Sequence, residues 1–373
     1  MSPDRPPSVV HVLWSGNTGG IERLVTDLAA EQVMEGLTVG VAFGRAEGPF
    51  VELAQDAGAE VTHLDLATGY DIRPRRAATR LLTSNDVVHL HGYNVAFESL
   101  CRRLARPVVF TEHGGFGKGR KLGLGHGVKQ RLKARFLRKT VAVVVANSAY
   151  TAARLADLYG VPRDRVHLVH NGIPFSAHSR IENCSSARTG SLRVAFVGRL
   201  AGFKRVDRLI DAVARMPHPR HVAVTIAGDG PLEGELRAKA TAAGVDEHVT
   251  FVGYRRDVAS LLTSVDVLVQ PSQGEPFGLA IVESCAAGVL PIVFADGGGA
   301  LEVIPPDGIV VRDVDELASV LARLPGSPAI SPPAREARAA WAREHFPISA
   351  THRKYLELYR RAAEIRSTNG LLP

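Results

Sequence analysis

The sequence predicts an α/β protein of two domains, each built on a parallel sheet. Three observations carry this. At 373 residues the chain exceeds one ordinary core and fits two. Short apolar, β-branched runs alternate with helical patterns almost throughout, which is the pattern of strand–helix–strand units. The alternation breaks once, in the polar, Ser-rich stretch Ser176–Ser191, and restarts beyond it.

In the first half, Val9–Trp14, Thr38–Phe43, Ala59–Leu64, Val87–His91, Val108–Thr111 and Val141–Asn147 read as strands, with helices such as Ile21–Glu35 and Tyr150–Tyr159 between them. After the break, Arg193–Gly198, Val222–Ala227, Val249–Val252, Val265–Gln270 and Pro291–Phe294 read as strands in the same way. The Pro- and Ala-rich segment Leu324–Ala340 leads to a final helix, Ile348–Ile365. The expected organisation is a domain over 1–175, a linker over 176–191, a second domain over 192–345 and a terminal helical segment over 346–373.

Composition narrows the function. Hydrophobic residues make up 45% of the chain, ample for two cores, so disorder is excluded. Cys101, Cys184 and Cys285 are scattered and odd in number, which supports neither a disulfide framework nor a zinc site. A reducing cytoplasm is the simplest compartment. The polar, Pro-rich opening Met1–Ser8 is no signal peptide, and no apolar run reaches the ~20 residues of a membrane span. The net charge of +7 favours anionic ligands or surfaces. Abundant Ala, Arg and Val are typical of a GC-rich bacterial source.

The stretch Glu275-Pro-Phe277-Gly278-Leu279-Ala-Ile-Val-Glu283 holds two carboxylates around a Phe-Gly turn, just after the strand Val265–Gln270. That is where a parallel sheet presents its ligand crevice. Gly278 permits close backbone approach, and the first turn of the following helix can cradle an anion. Glu275 is placed to reach a sugar hydroxyl and Glu283 a ribose, the layout of a nucleotide-sugar site. Upstream, Val197-Gly198-Arg199 ends a strand and Lys204 is read as opening the next helix. A guanidinium fork with a nearby ammonium suits a diphosphate and the charge that builds on it as a leaving group.

Weaker signals complete the set. Gly16-Asn-Thr-Gly19-Gly20-Ile-Glu22 is neither a dinucleotide fingerprint nor a phosphate-binding P-loop. His113, in Thr111-Glu-His-Gly-Gly, can hydrogen-bond a donor sugar hydroxyl, or a phosphate when protonated. His89 and His91 are acceptor-side candidates, with His89 equally suited to the core.

Taken together, these motifs resemble glycosyltransferase family 4, the glycosyl transferases group 1, from about Val9 to Val311. The likeness is closer in the second half than the first. It implies the GT-B fold: two Rossmann-like domains facing a central cleft, with the C-terminal helix crossing back to the N-terminal domain. It also implies retaining transfer from a nucleoside-diphosphate sugar, UDP ahead of GDP and ADP, by a front-side path in which the leaving phosphate assists deprotonation. In that family Arg199 and Lys204 would carry the diphosphate, His113 and Glu275 the sugar, and the Gly19–Gly20–Glu22 loop would lie over phosphates and acceptor. Gly228, in Ala227-Gly-Asp-Gly-Pro231, and Gly253, Tyr254 and Arg255 would lie beside the nucleotide. Gly297-Gly-Gly-Ala-Leu-Glu302 matches a later family element and Asn171-Gly-Ile173 the turn before the linker.

No metal is required on this reading, since the two cations stand in for one. Departures are Arg205 where glycine is more usual and one extra residue in Ala287-Gly-Val-Leu-Pro291. The acceptor hydroxyl could belong to a phospholipid, a cell-envelope saccharide or a small metabolite. A nucleotide-sugar epimerase of the same fold and a dinucleotide-dependent dehydrogenase are the rivals; the second lacks a fingerprint in either half.

Between Gly114 and Ala156 there is no Asp or Glu, while Lys118, Arg120, Lys121, Lys129, Arg131, Lys133, Arg135, Arg138 and Lys139 crowd together. Val128, Leu132 and Phe136 make one apolar stripe. Three roles fit 118–139: contact with an anionic membrane at its inner face, capture of a phosphorylated acceptor, or a solvated helix with no ligand. Sparse aromatics exclude a nucleic-acid stacking platform.

Overall fold

The computed structural model describes residues 5–17, 19–45, 47–72, 79–80, 83–103, 106–114, 124–175 and 191–368. Most of the expected linker, the basic residues Lys118, Arg120 and Lys121, and Cys184 lie outside the described residues. The chain divides into two units, the first taking Met1–Phe116, Arg120–Gly172 and Ile348–Pro373, the second Ile173–Pro347.

The first unit holds strands β1 (Val9–Ser15), β2 (Val39–Arg45), β3 (Glu60–His63), β4 (Val87–Leu90), β5 (Val108–Glu112), β6 (Val143–Ala146) and β7 (Val166–Leu168). They form one parallel sheet in the order β3-β2-β1-β4-β5-β6-β7. Valine-rich strands such as Val87–Leu90 are buried along their whole length, as expected of a parallel sheet covered on both faces. Helices α1 (Gly20–Met34), α2 (Phe50–Asp56), α3 (Val95–Arg103), α4 (Leu124–Lys139) and α5 (Ala149–Tyr159) connect them. On one face Leu24, Val25 and Leu28 of α1 pack with Tyr355, Leu358 and Tyr359 of the terminal helix Ile348–Thr368. On the other, Phe97, Phe136, Leu137 and Leu155 close the core.

The second unit repeats the plan. Strands β8 (Leu192–Val197), β9 (Val222–Ala227), β10 (Val249–Gly253), β11 (Val267–Gln270), β12 (Leu290–Phe294) and β13 (Ile309–Val311) run parallel in the order β10-β9-β8-β11-β12-β13. Helices α6 (Val206–Arg215), α7 (Glu233–Ala242), α8 (Val258–Thr263), α9 (Leu279–Ala286), α10 (Val314–Arg323) and α11 (Pro332–His345) cover both faces. In each sheet the strand order reverses once, between β1 and β4 and between β8 and β11. Ligands of such sheets sit outside the carboxyl ends of the strands at that reversal.

Four elements depart from the sequence reading. Strands β7 and β13 are three residues each and lie at sheet edges, too short for a period to register. Helix α11 forms inside the segment taken as a lead-in, with Pro at its start, where a missing N–H costs nothing. Its buried face is partly arginine: Arg338 is 1% exposed, donates to the carbonyls of Gly288 and Ala329, and pairs with Asp307 at 2.8 Å. An apolar periodicity cannot register such a face. Finally, Lys204 does not open a helix. It ends a 3₁₀ turn, Gly202–Lys204, and α6 begins at Val206 after Arg205 adopts φ +49°. That left-handed conformation suits glycine, which accounts for the glycine usual at this place in the family.

Candidate functional site

In the second unit three neighbouring strands end in glycine. Gly198, Gly228 and Gly253 follow or close β8, β9 and β10 with φ of +150°, +139° and +67°. Gly198 N donates to Ala227 O at 3.0 Å and Gly228 N to Gly253 O at 2.8 Å, so the strand ends form a shelf of bare backbone. Arg199 projects from it, exposed, and its side chain has no partner among the described residues. Tyr254 and Arg255 lie exposed beyond β10.

Lys204 lies beside this shelf, its Cε 3.6 Å from where a Cβ on Gly198 would stand. Its ammonium meets the Glu275 carboxylate at 2.8 Å, with the two side chains 14% and 8% exposed. Gln270, the last residue of β11, donates to the same carboxylate at 3.2 Å and to Ser272 Oγ at 3.1 Å. Burial alone would raise the Glu275 pKa; the Lys204 charge and hydrogen bonds from Lys204, Ser272 and Gln270 outweigh it and hold the group below the usual carboxylate range. The Glu275 backbone is clamped as well: its N–H donates to Gly297 O at 2.9 Å and its carbonyl accepts from Gly299 N at 2.7 Å. Gly278, at φ +97°, turns the chain into α9, which begins at Leu279. Phe277 is buried against Phe346, with ring centroids 6.1 Å apart, and Glu283 is buried within α9.

In the first unit a cavity of about 410 Å³ opens at the carboxyl ends of β1 and β4, lined by Trp14, Glu22, His91, Tyr93, Asn94 and Lys129 among others. Gly19 caps α1, and a Cβ there would stand 2.2 Å from Glu22 Oε2, so the glycine makes room for that carboxylate. Gly20, the first residue of α1, is exposed. Thr18 lies outside the described residues.

His91 and His113 are joined, Nδ1 to Nε2, at 3.0 Å. Two residues that the motifs did not single out continue the contact inward: His11 Nδ1 meets His91 Nε2 at 2.9 Å, and His11 Nε2 meets Gln32 Oε1 at 2.8 Å. A polar residue inside the apolar run Val9–Trp14 was the available signal. His89 bonds Tyr359 at 2.8 Å and Thr111 at 2.7 Å. Nitrogens of His11, His89 and His91 lie within 4.8 Å of one another, close enough to share an ion. Yet both ring nitrogens of all three already hold hydrogen bonds, which an ion would have to strip away.

Burial lowers His11 and His113 to about 4 and takes His89 and His91 well below the ordinary 6.5. Between pH 6.5 and about 4 the unfolded chain therefore binds protons that the folded one refuses. Stability is expected to fall as pH drops through that window, by about 1.4 kcal/mol per pH unit for each histidine still neutral. Asp27, lifted to about 6 by burial, works in the opposite sense and offsets part of one such term. Thermal melts at pH 7.5, 6 and 5 check this; a melting temperature unchanged from pH 7.5 to 5 would refute it.

The basic helix differs from its expected form. Phe136 is fully buried, but Val128 and Leu132 of the same stripe are 57% and 37% exposed. Lys133, one of the basic flank residues, is half-buried and paired with Glu112. Lys129, Arg131, Arg135, Arg138 and Lys139 are exposed. Among the described residues no helix is long and apolar enough to cross a membrane.

Comparison with known proteins bears on both units. Residues 18–176 match the family model described as Glycosyltransferase Family 4, and residues 180–349 match Glycosyl transferases group 1. A glycogen synthase of Mycobacterium tuberculosis is 30% identical over 72% of this chain and 66% of its own length, so just under two thirds of that protein is spanned. A D-inositol 3-phosphate glycosyltransferase of Mycolicibacterium smegmatis is 30% identical over 74% of this chain and 68% of its own. Among solved structures, Anabaena Alr3699/HepE in complex with UDP and glucose superposes with a TM-score of 0.79 at 19% identity, covering 95% of this chain and 99% of that one.

Proposed function

The chain belongs to the glycosyltransferases of GT-B fold and family 4 type, and from that membership we propose that it moves a sugar from a UDP-sugar to an acceptor hydroxyl with retention of configuration. The observation that carries the donor reading is the buried Lys204–Glu275 pair beside the glycine shelf at the β8/β11 reversal. In it the diphosphate lies along the shelf, where backbone can approach closely, and Arg199 and Lys204 neutralise it. Two cations there do the work a divalent ion does elsewhere, so transfer is metal-independent. Glu275 holds the sugar rather than attacking it: Lys204 and Gln270 both bond its Oε2 and fix the carboxylate in place. Retention then follows a front-side path. The acceptor, a lipid, saccharide or small metabolite, presents its hydroxyl to the cavity of the first unit. The HepE complex, which holds UDP, supports the uridine choice.

Thermal-shift measurements with UDP, GDP, ADP and NAD test this reading. UDP at about a hundred times its dissociation constant is expected to stabilise the protein by about 2.7 kcal/mol. Stabilisation by GDP or ADP instead would correct the base alone. A response to NAD only, or to no nucleotide, would overturn the donor site.

A further inference from the structure

Four histidines of the first unit, His11, His89, His91 and His113, are not separate contacts but one chain of hydrogen bonds, and it can carry protons in only one order at a time. A neutral imidazole has one N–H and one lone pair, so fixing either nitrogen fixes the other. All four rings are held neutral by burial. Gln32, fully buried, stands at the centre with a donor on one side of its amide and an acceptor on the other.

The order follows from that amide. Its Nε2 donates to the Tyr359 hydroxyl at 3.4 Å, which turns its Oε1 toward His11. His11 Nε2 must then carry the proton it donates to that oxygen, leaving Nδ1 with a lone pair. His91 Nε2 donates to it at 2.9 Å, and His91 Nδ1 in turn accepts from His113 Nε2 at 3.0 Å. The second arm agrees. Tyr359, having accepted from Gln32, donates to His89 Nδ1 at 2.8 Å, and His89 Nε2 donates to Thr111 Oγ1 at 2.7 Å. Tyr355 completes it at 3.0 Å from the threonine.

We propose that this chain, set by Gln32, holds His113 as the Nε2–H tautomer, so that its free Nδ1, which has no partner among the described residues, offers a ligand a lone pair and not a proton. Gln32, His11 and His91 are thus positioning residues for His113. A lone pair takes a hydroxyl and repels phosphate oxygen, so His113 recognises a hydroxyl and not a phosphate. That last step rests on the glycosyltransferase reading; the tautomer does not, and it is measured on the free protein.

The test is a long-range proton–nitrogen correlation spectrum of the full chain labelled with ¹⁵N-histidine, with His113 assigned by its loss in His113→Gln. The wild type is expected to show His113 Nδ1 bare and Nε2 protonated. Tyr359→Phe keeps the shape and removes the hydroxyl that orients the amide; Gln32→Met removes the amide. Both are expected to move His113 toward a mixture of tautomers, a change that a purely structural role for these residues would not produce. Nδ1–H in the wild type would mean the amide faces the other way, and overturns the proposal. So would a His113 signal unmoved in both variants. Should neither variant fold, the wild-type tautomer still decides the order.

Discussion

Lys204→Ala is expected to lose transfer by about two to three orders of magnitude and to melt well below the wild type, while Arg199→Ala loses transfer to a similar degree at an unchanged melting temperature. Both cations face the same developing charge in the proposed reaction, but the structure gives them different surroundings. Arg199 is exposed and without a side-chain partner among the described residues, so removing it leaves nothing stranded. Lys204 neutralises a carboxylate that is 8% exposed. Taking one partner from a buried pair costs about 3–5 kcal/mol, because the remaining charge has lost its compensation. For a unit of this size each kcal/mol shifts the midpoint by about 2–4 °C. Glu275 would then also change sign: with Lys204 gone, burial is the largest influence left and its pKa rises. In the wild type its lowered pKa contributes stability that is present above the ordinary carboxylate range and lost as pH falls through the folded value. Melting curves of both variants, with and without UDP, separate the two roles. Equal melting temperatures for the pair would show that the Lys204–Glu275 contact holds no weight in the fold.

Gly228→Ala should destabilise the second unit by about 3–5 kcal/mol, the largest effect expected of any single methyl group here. A Cβ at Gly228 would stand 1.9 Å from Gly198 O, a backbone atom that cannot swing aside. The position also has φ +139°, a conformation that a side chain strains. Relief would require β8 and β9 to part at the very ends that form the glycine shelf, so UDP-induced stabilisation is expected to vanish too. Gly234→Ala is the matched control. It lies exposed in α7 with nothing within 4 Å of a new Cβ, and gains about 0.5–1 kcal/mol from helix propensity. Chemical denaturation of both, followed through the second unit, checks the contrast. A Gly228→Ala protein as stable as the wild type would mean the shelf is far looser than its hydrogen bonds indicate.

How far the sequence could be read varied along the chain. Apart from β7, the strands from Val9 to Phe294 were legible because parallel strands buried on both faces are rich in valine and other apolar residues, and the helices between them because their apolar positions recur. Helix α11 was not, since its buried face includes Arg335 and Arg338, whose partners are backbone carbonyls distant in the chain. Lys204 was expected to open a helix and instead ends a turn. A 3₁₀ turn and a left-handed arginine leave no mark in a hydrophobic pattern.

The sequence by itself determined the two-sheet α/β architecture and the family, because strand composition and motif spacing are local properties of the chain. Only the tertiary structure decided which side chains face each other: that Lys204 pairs with Glu275, that Lys133 pairs with Glu112, and that His11, Gln32, His91 and His113 make one line. Those pairings join residues 21 to 80 positions apart. A hydrogen bond or ion pair within a core depends on distance and desolvation in space, and neither is written in the order of residues along the chain.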